Sequence, residues 1–245
     1  HRDLHSFPTR RSSDLRIADA SLVKLWMDSA LTQYAGRLKR PLVLMAVPPE
    51  MPDSDRKALR DIALNADAGQ CGCADALLLA ALGADARVLW PEGILAMDLG
   101  AGAIRAALIS YGRMIECRSL HYGMAKIDEH VAALVRDDMS LAIGPRAAEE
   151  LKLYLGSAIP GRELSADAAG LDMATGFPVE KKVDAALILR AAMPVLKDII
   201  ELAVSTAGCA SGELAADLAT GGMVLTGGGA QMYGLAQLLT EHMGI

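Results

Sequence analysis

The sequence predicts an α/β fold, and three stretches carry that expectation. Pro41-Leu-Val-Leu-Met-Ala-Val47 is a short apolar run stopped by Pro48-Pro49 and followed by helix-start residues. Ile94 to His121 reads as successive strands separated by glycine-bearing turns. Met223-Val-Leu-Thr226 is a short strand that runs into Gly227-Gly228-Gly229 and then a helical pattern. Strands interleaved with helices favour a layered α/β architecture.

Along the chain, residues 19–35 place Leu22, Val23, Leu25, Trp26, Ala30 and Leu31 close to helical spacing. For Trp26, Met27 and Leu31 a core-facing stripe is the simpler reading and a partner surface the other. The 41–47 run suits a strand covered on both faces, as in parallel sheets. Asp53, Ser54 and Asp55 open a helix through Asn65, and an Ala- and Leu-rich helix covers about Asp75 to Leu82. Ile94 to Asp98, Ala103 to Ser110 and Met114 to His121 form a meander, joined by Gly100-Ala101-Gly102 and Tyr111-Gly112-Arg113. Helices follow at 125–137 and 146–156. Residues 160–182 are punctuated by Gly and Pro, with strand-like pieces such as Phe177 to Val183. A long helix starts near Asp184, where Pro194 predicts a kink about Leu189–Arg190. Met223 to Thr226, the glycine turn and a helix from Ala230 to Met243 complete the order.

Composition narrows the functions open to such a fold. The 245 residues are 52% hydrophobic and 22% charged, an ordinary globular balance, and aromatics at 4% leave the core to aliphatic side chains. A formal net charge of −6 offers no bulk attraction for nucleic acid or anionic lipid. No stretch approaches the roughly 18 apolar residues of a membrane span. Cys71, Cys73, Cys117 and Cys209 are too scattered for a disulfide framework, and Cys71-Gly72-Cys73 lacks zinc-knuckle spacing, so they read as reduced thiols in or near a core.

Two glycine turns and one helix are the candidate site. Asp98-Leu99-Gly100-Ala101-Gly102 lies between strands, and Leu225-Thr226-Gly227-Gly228-Gly229-Ala230 opens a helix. Glycines permit close backbone approach, successive free N–H groups make an anion nest, and a helix N-terminus adds partial positive charge. Each turn alone is as compatible with a plain tight turn; the two contexts together point to nucleotide binding. Glu149 and Lys152, three apart on a helix with Glu150 and Leu151 between them, share a face. They form a solvated ion pair or present an acceptor and a cation to a ribose or base.

These elements, in this order, resemble the bacterial actin-like MreB family. Asp98 to Ser110 is similar to the family's phosphate hairpin, DIGGGTTEVAVIS. The resemblance continues through Cys117 to Gly123, Lys126 to Glu129, Ile143 to Lys152 (the family's IGERTAEEIK) with Gly156-Ser157-Ala158, Asp172 to Pro178, Glu213 to Leu218 and Met223 to Ala230. It spans roughly residues 20–245, more loosely before residue 94. It implies an actin-like ATPase (ribonuclease H-like) fold: two lobes around a cleft holding ATP and Mg²⁺. Residues 16–93 would be a partial first lobe and 94–245 the second, with about 125–183 its smaller subdomain. His5 to Leu15 resembles the translation of a sequencing adapter, so residues 1–15 are expected to be foreign and the chain a fragment missing both ends. Exposed apolar surface near 41–47 and poor solubility are then expected.

By the same resemblance, Gly100, Ala101, Gly102 and Ala103 would line the phosphates, with Asp98 near a metal-bound water. Glu149, Glu150, Leu151 and Lys152 would meet the ribose and base, and Gly227, Gly228, Gly229, Ala230 and Gln231 the adenosine side. Family members form filaments beneath the cytoplasmic membrane and organise wall synthesis in rod-shaped cells, which implies self-association, wall-synthesis or membrane partners, and a cytoplasmic place. The departures are specific. The family's first phosphate loop is not in this sequence; its threonines are Ala103 and Ile104, and the following acidic residue is Arg105. The EEP motif, whose carboxylate orients the attacking water, aligns with Asp75-Ala76-Leu77. Losing that carboxylate predicts slow or absent hydrolysis with binding retained. A degenerate nucleotide-binding scaffold, and a sugar or acetate kinase or chaperone ATPase of the same superfamily, are the alternatives.

Overall fold

The computed structural model describes residues 20–35 and 40–245; the 1–15 segment lies outside them. The chain divides into two compact units, before and after Leu79/Ala80.

In the first unit, helix α1 (Ala20–Ala35) and helix α2 (Asp53–Asn65) pack with a two-stranded parallel sheet of β1 (Leu42–Val47) and β2 (Gln70–Asp75). Met27 is buried with Ala63, Ala66 and Ala68, and Leu31, Val43, Met45 and Cys71 pack against them. Trp26 is 45% exposed, while Met27 is buried and Leu31 packs against the same cluster. Strand β1 is not covered on both faces as expected. Its burial alternates, and Leu42 and Leu44 are 77% and 65% exposed. Helix α2 has the predicted span, but Pro52 stands at its N-cap with no side-chain cap. Strand β2 takes residues that carried no strand expectation, and the next helix, α3 (Ala76–Gly83), begins only after Asp75.

The second unit is built on a four-stranded sheet in the order β5-β4-β3-β9, from β3 (Ile94–Leu99), β4 (Ile104–Ser110), β5 (Arg113–Leu120) and β9 (Met223–Thr226). The meander is antiparallel, and β9 joins β3 in parallel. Tyr111 and Gly112, at φ 51° and 69°, supply the two left-handed residues of a type I′ hairpin. Leu95, Met97, Leu99, Leu108 and Ile109 are fully buried, the continuous apolar runs of a sheet covered on both faces.

Helix α4 (Ala125–Met139), helix α5 (Pro145–Leu155) and a second sheet, β6 (Leu141–Ala142), β7 (Ser165–Asp172) and β8 (Pro178–Asp184), fill 125–184. Helix α6 (Ala185–Ala207) then crosses the unit. The Asp184 carboxylate accepts from Leu187 N–H at 2.8 Å as its cap, and Ile188, Ala192, Val195, Leu196 and Ile199 form its buried stripe. It runs as one helix through Pro194. Helix α7 (Gly212–Gly221) precedes β9. The helix expected from Ala230 is a short 3₁₀ turn, Gly228–Gln231, and helix α8 begins only at Leu235 and ends at Met243. Gly234, at φ 75°, breaks the two apart.

Candidate functional site

The two glycine bends lie side by side. Strands β3 and β9 pair in parallel with Asp98 opposite Thr226, so both chains leave the sheet at the same edge. Their approach admits no side chain. A Cβ on Gly227 would lie 2.7 Å from Asp98 Oδ1 and 2.8 Å from Leu99 O, and one on Gly229 2.6 Å from Met124 Cγ. Gly227, at φ 81°, also needs glycine for its backbone.

The first bend is held from below by the start of α4. Gly100 N–H donates to Ala103 O at 3.1 Å, while Met124 N–H and Ala125 N–H donate to Gly100 O and Ala101 O at 2.9 and 3.0 Å. With those carbonyls engaged, Ala101 and Gly102 stay exposed at the tip. Gly123 makes the contact possible, since its Cβ would sit 2.3 Å from Gly100 O. Met124 links the two bends to the third element: its carbonyl accepts from Lys152 Nζ at 3.4 Å.

Lys152 does not pair with Glu149. Its ammonium lies 2.8 Å from Asp128 on α4, with only 10% and 15% of the two side chains exposed. Burial raises the Asp128 carboxyl above its ordinary value, against the hydrogen bond and charge of Lys152. Glu150 turns outward to Arg146 at 2.9 Å, Glu149 is exposed, and Leu151 is buried in the core. At the end of α5, Gly156 N–H returns to Lys152 O at 2.8 Å. The segment after the second bend closes on this point: Ala158 N–H donates to Tyr233 O at 2.8 Å, and the Arg162 guanidinium lies 5.2 Å from the Tyr233 ring centre.

All three predicted elements therefore meet in one region of the second unit, at the C-terminal edge of β3 and β9. Sequence reasoning passed over Gly123, Met124, Asp128 and Tyr233 as members of it. A glycine directly before a helix, and an acidic residue in that helix's first turn, were the signals present. A groove of about 320 Å³ is lined by Met223 and Leu225 of β9, Ala230, and Ala236 and Thr240 of α8, and none of the bend glycines lines it.

Residue Asp98 is the carboxylate at the bends, and Arg105 is its cross-strand partner in β4. Burial pushes the Asp98 carboxyl up, and the Arg105 charge opposes it. Among the described residues no group of three His, Cys, Asp or Glu could hold a metal ion. Ala103 and Ile104 carry no side-chain oxygen. Mg²⁺ is held by one or two carboxylates together with waters and substrate phosphates, and Asp98 is the carboxylate at the bends that would take that part.

A family model described as MreB/Mbl protein matches residues 12–245. The chain belongs to the MreB/Mbl family. The cell shape-determining protein MreB of Escherichia coli K12 is 33% identical over 206 residues, 84% of this chain and 59% of that protein. The cell shape-determining protein Mbl of Bacillus subtilis 168 is 27% identical over 209 residues, 85% of this chain and 63% of that protein. The chain thus spans about three fifths of the length of these curated MreB and Mbl relatives. Among solved structures, MreB 5 of Spiroplasma citri bound to AMPPNP superposes with a TM-score of 0.86 at 26% identity, covering 95% of this chain and 71% of that one. A MamK double helical filament superposes at 0.78 and 17% identity over 98% and 72%, a likeness of fold. The fold is actin-like, as the motifs implied. Among the described residues no helix is long and apolar enough to cross a membrane.

Proposed function

We propose that this chain is the nucleotide-binding portion of an actin-like cytoskeletal protein that assembles filaments and helps set cell shape. The observation that carries the reading is the meeting of two glycine bends at adjacent strand ends, with α5 beside them. Backbone N–H groups of Ala101, Gly102 and Ala103 would receive the phosphates, with Gly100 N–H bracing the bend on Ala103 O. Gly227 to Gln231, with Glu149 at the exposed face of α5, would meet the nucleoside. Leu151 lies in the core, Glu150 on Arg146 and Lys152 on Asp128, outside that role. ATP is the ligand that this reading names. That an MreB structure holds AMPPNP, and another from the same organism ADP, supports it by kinship. Self-association, wall-synthesis and membrane partners, and a cytoplasmic place follow from the same kinship; nucleic acid is not among the partners. Calorimetric titration of ATP into the chain tests binding, and pelleting of a version extended to the length of its relatives tests assembly. No heat of binding at micromolar protein rejects the reading.

A second reading, binding without turnover, has its own observation. Asp75, aligned with the water-orienting motif, is gripped by Arg56 at 2.7 Å, and Arg56 also donates to the carbonyls of Pro48, Pro49 and Met51. A carboxylate so engaged is poorly placed to act as a base, and Ala76 beside it has none. Phosphate release at the rate of a hydrolysing relative would reject this second reading.

A further inference from the structure

We propose that Cys71 and Cys73 form a thiol–disulfide exchange site in β2, oxidised by a small-molecule disulfide, and that closing the bond loosens the β1–β2 pair. Strand geometry places the two thiols together. They stand two residues apart on one strand, and so on one face of the sheet. The parallel register sets them beside Val43 and Met45, and Val43, Met45 and Cys71 all pack against the buried cluster of Met27 and Ala63. Cys73 Sγ lies 3.7 Å from Arg56 O on α2, so both thiols face the helix side of the sheet. Both are free and only part-buried. They also feel one another: burial first, and then the charge of Cys73, push the Cys71 thiol up, while Arg60 opposes them.

The spacing makes such a bond a switch and not a permanent staple. A strand advances about 3.2–3.4 Å per residue, which sets the two Cα atoms about 6.4–6.8 Å apart. That is the far limit of what a disulfide spans, about 4.4–6.8 Å, and its usual span is about 5.5–6 Å. Closure therefore requires β2 to shorten. Gly72, between the two, permits it: a Cβ there would meet Leu44 Cδ1 at 3.4 Å, and Leu44 is itself 65% exposed. Among the described residues β2 pairs with β1 alone, so a single ladder holds it straight. In the exchange, one cysteine thiolate attacks a sulfur of the small disulfide and expels a small thiolate, leaving a mixed disulfide on the protein. The second cysteine thiolate attacks the protein's sulfur in that bond and expels the other small thiolate. Two cysteine thiols are oxidised, one disulfide is reduced, and the two cysteine protons end on the two released thiols. A bond stretched in this way is readily reduced again.

The test incubates the dilute 245-residue chain in glutathione buffers from fully reduced to fully oxidised, and reads intact mass, peptide maps and amide exchange. The oxidised chain should lose two hydrogens within the peptide that holds Cys71 and Cys73, and reduced glutathione should restore them. Amide exchange in β1 and β2 should quicken about tenfold on closure, the weight of one or two ladder hydrogen bonds. Cys73→Ser should stop at a single glutathione adduct on Cys71, and Cys71→Ser at one on Cys73, with melting curves to report that each variant folds. Glutathione adducts that persist on both cysteines of the unsubstituted chain overturn the proposal, as does a bond from either to Cys117, Cys209 or a second chain. So does a Cys71–Cys73 pair left unmodified in the fully oxidised buffer, or closure that leaves exchange in β1 and β2 unchanged.

Discussion

Replacing Lys152 with methionine should destabilise the second unit through Asp128, in a way that acid repairs. Methionine keeps the length of the stem and removes the cation, leaving a carboxylate that is 15% exposed and lies near Glu149 and Glu129. Removing one partner of a buried pair costs about 3–5 kcal/mol, and the residual exposure here places the loss near 3 kcal/mol. For a unit of this size that is about 6–12 °C in Tm. The sign of the pH dependence follows from burial, already the largest influence on Asp128 and raising its carboxyl. Without Lys152 the folded-state value rises further above the unfolded one, so the folded state takes up the proton first. The variant should therefore regain stability as pH falls through the folded-state value towards the unfolded one. Asp128→Asn in the same background should recover most of the loss at neutral pH. Urea unfolding of the four chains of the cycle at pH 7 and pH 5 measures this. A loss of less than about 1 kcal/mol, the range of a solvated surface pair, would refute the reasoning. So would a loss that neither acid nor the second substitution repairs.

Tyr122→Phe removes the hydroxyl that donates to Asp198 and should cost about 1.5 kcal/mol in urea unfolding. Burial first, and then that hydrogen bond, push the Tyr122 phenol up to about 12. Its stabilisation is fully present below the unfolded value of about 10 and is lost as pH rises from there through the folded value; melts across that range should show the loss, and the variant should not. Arg56→Ala strips donors from three carbonyls and from Asp75, so amide exchange should quicken at Met51, whose N–H bonds Pro48 O. Arg56→Lys, with one ammonium for several acceptors, should restore only part of the protection. Gly123→Ala places a Cβ 2.3 Å from Gly100 O and 2.5 Å from Ala101 O, so the first bend must move. It should cost about 1–3 kcal/mol and abolish ATP binding in a calorimetric titration; full binding by a folded variant would contradict the assigned role of the bend.

Elements with a strong local pattern could be read directly from the sequence. The apolar runs of β3, β4 and β9, the span of α2 and the capped start of α6 at Asp184 each follow from neighbours within a few residues. What escaped was set at a distance. Strand β2 is Gln-Cys-Gly-Cys-Ala-Asp, a sequence with little strand propensity, and it is a strand because every residue of it pairs with β1. The late start of α8 follows from Gly234, where a Cβ would lie 2.4 Å from Ile159 Cγ1. Glycine there lets the chain pass close to Ile159 before it turns into the helix. The partner of Lys152 was missed for the same reason. Asp128 is 24 residues away, and only the packing of α4 on α5 brings it closer than Glu149. The site glycines could be found in the sequence, but their adjacency required the parallel pairing of β3 with β9.

The hydrogen bonds that tie the start of α4 to the first bend join amide hydrogens of Met124 and Ala125 to carbonyl oxygens of Gly100 and Ala101. Such a tether is indifferent to the identity of most side chains along the helix, so the surface of α4 can change freely while the bend stays anchored. Only proline at 124 or 125, which removes a tethering hydrogen, would cut a strand of it outright. A small displacement of that helix end would reach the loop with no flexible side chain in between to absorb it.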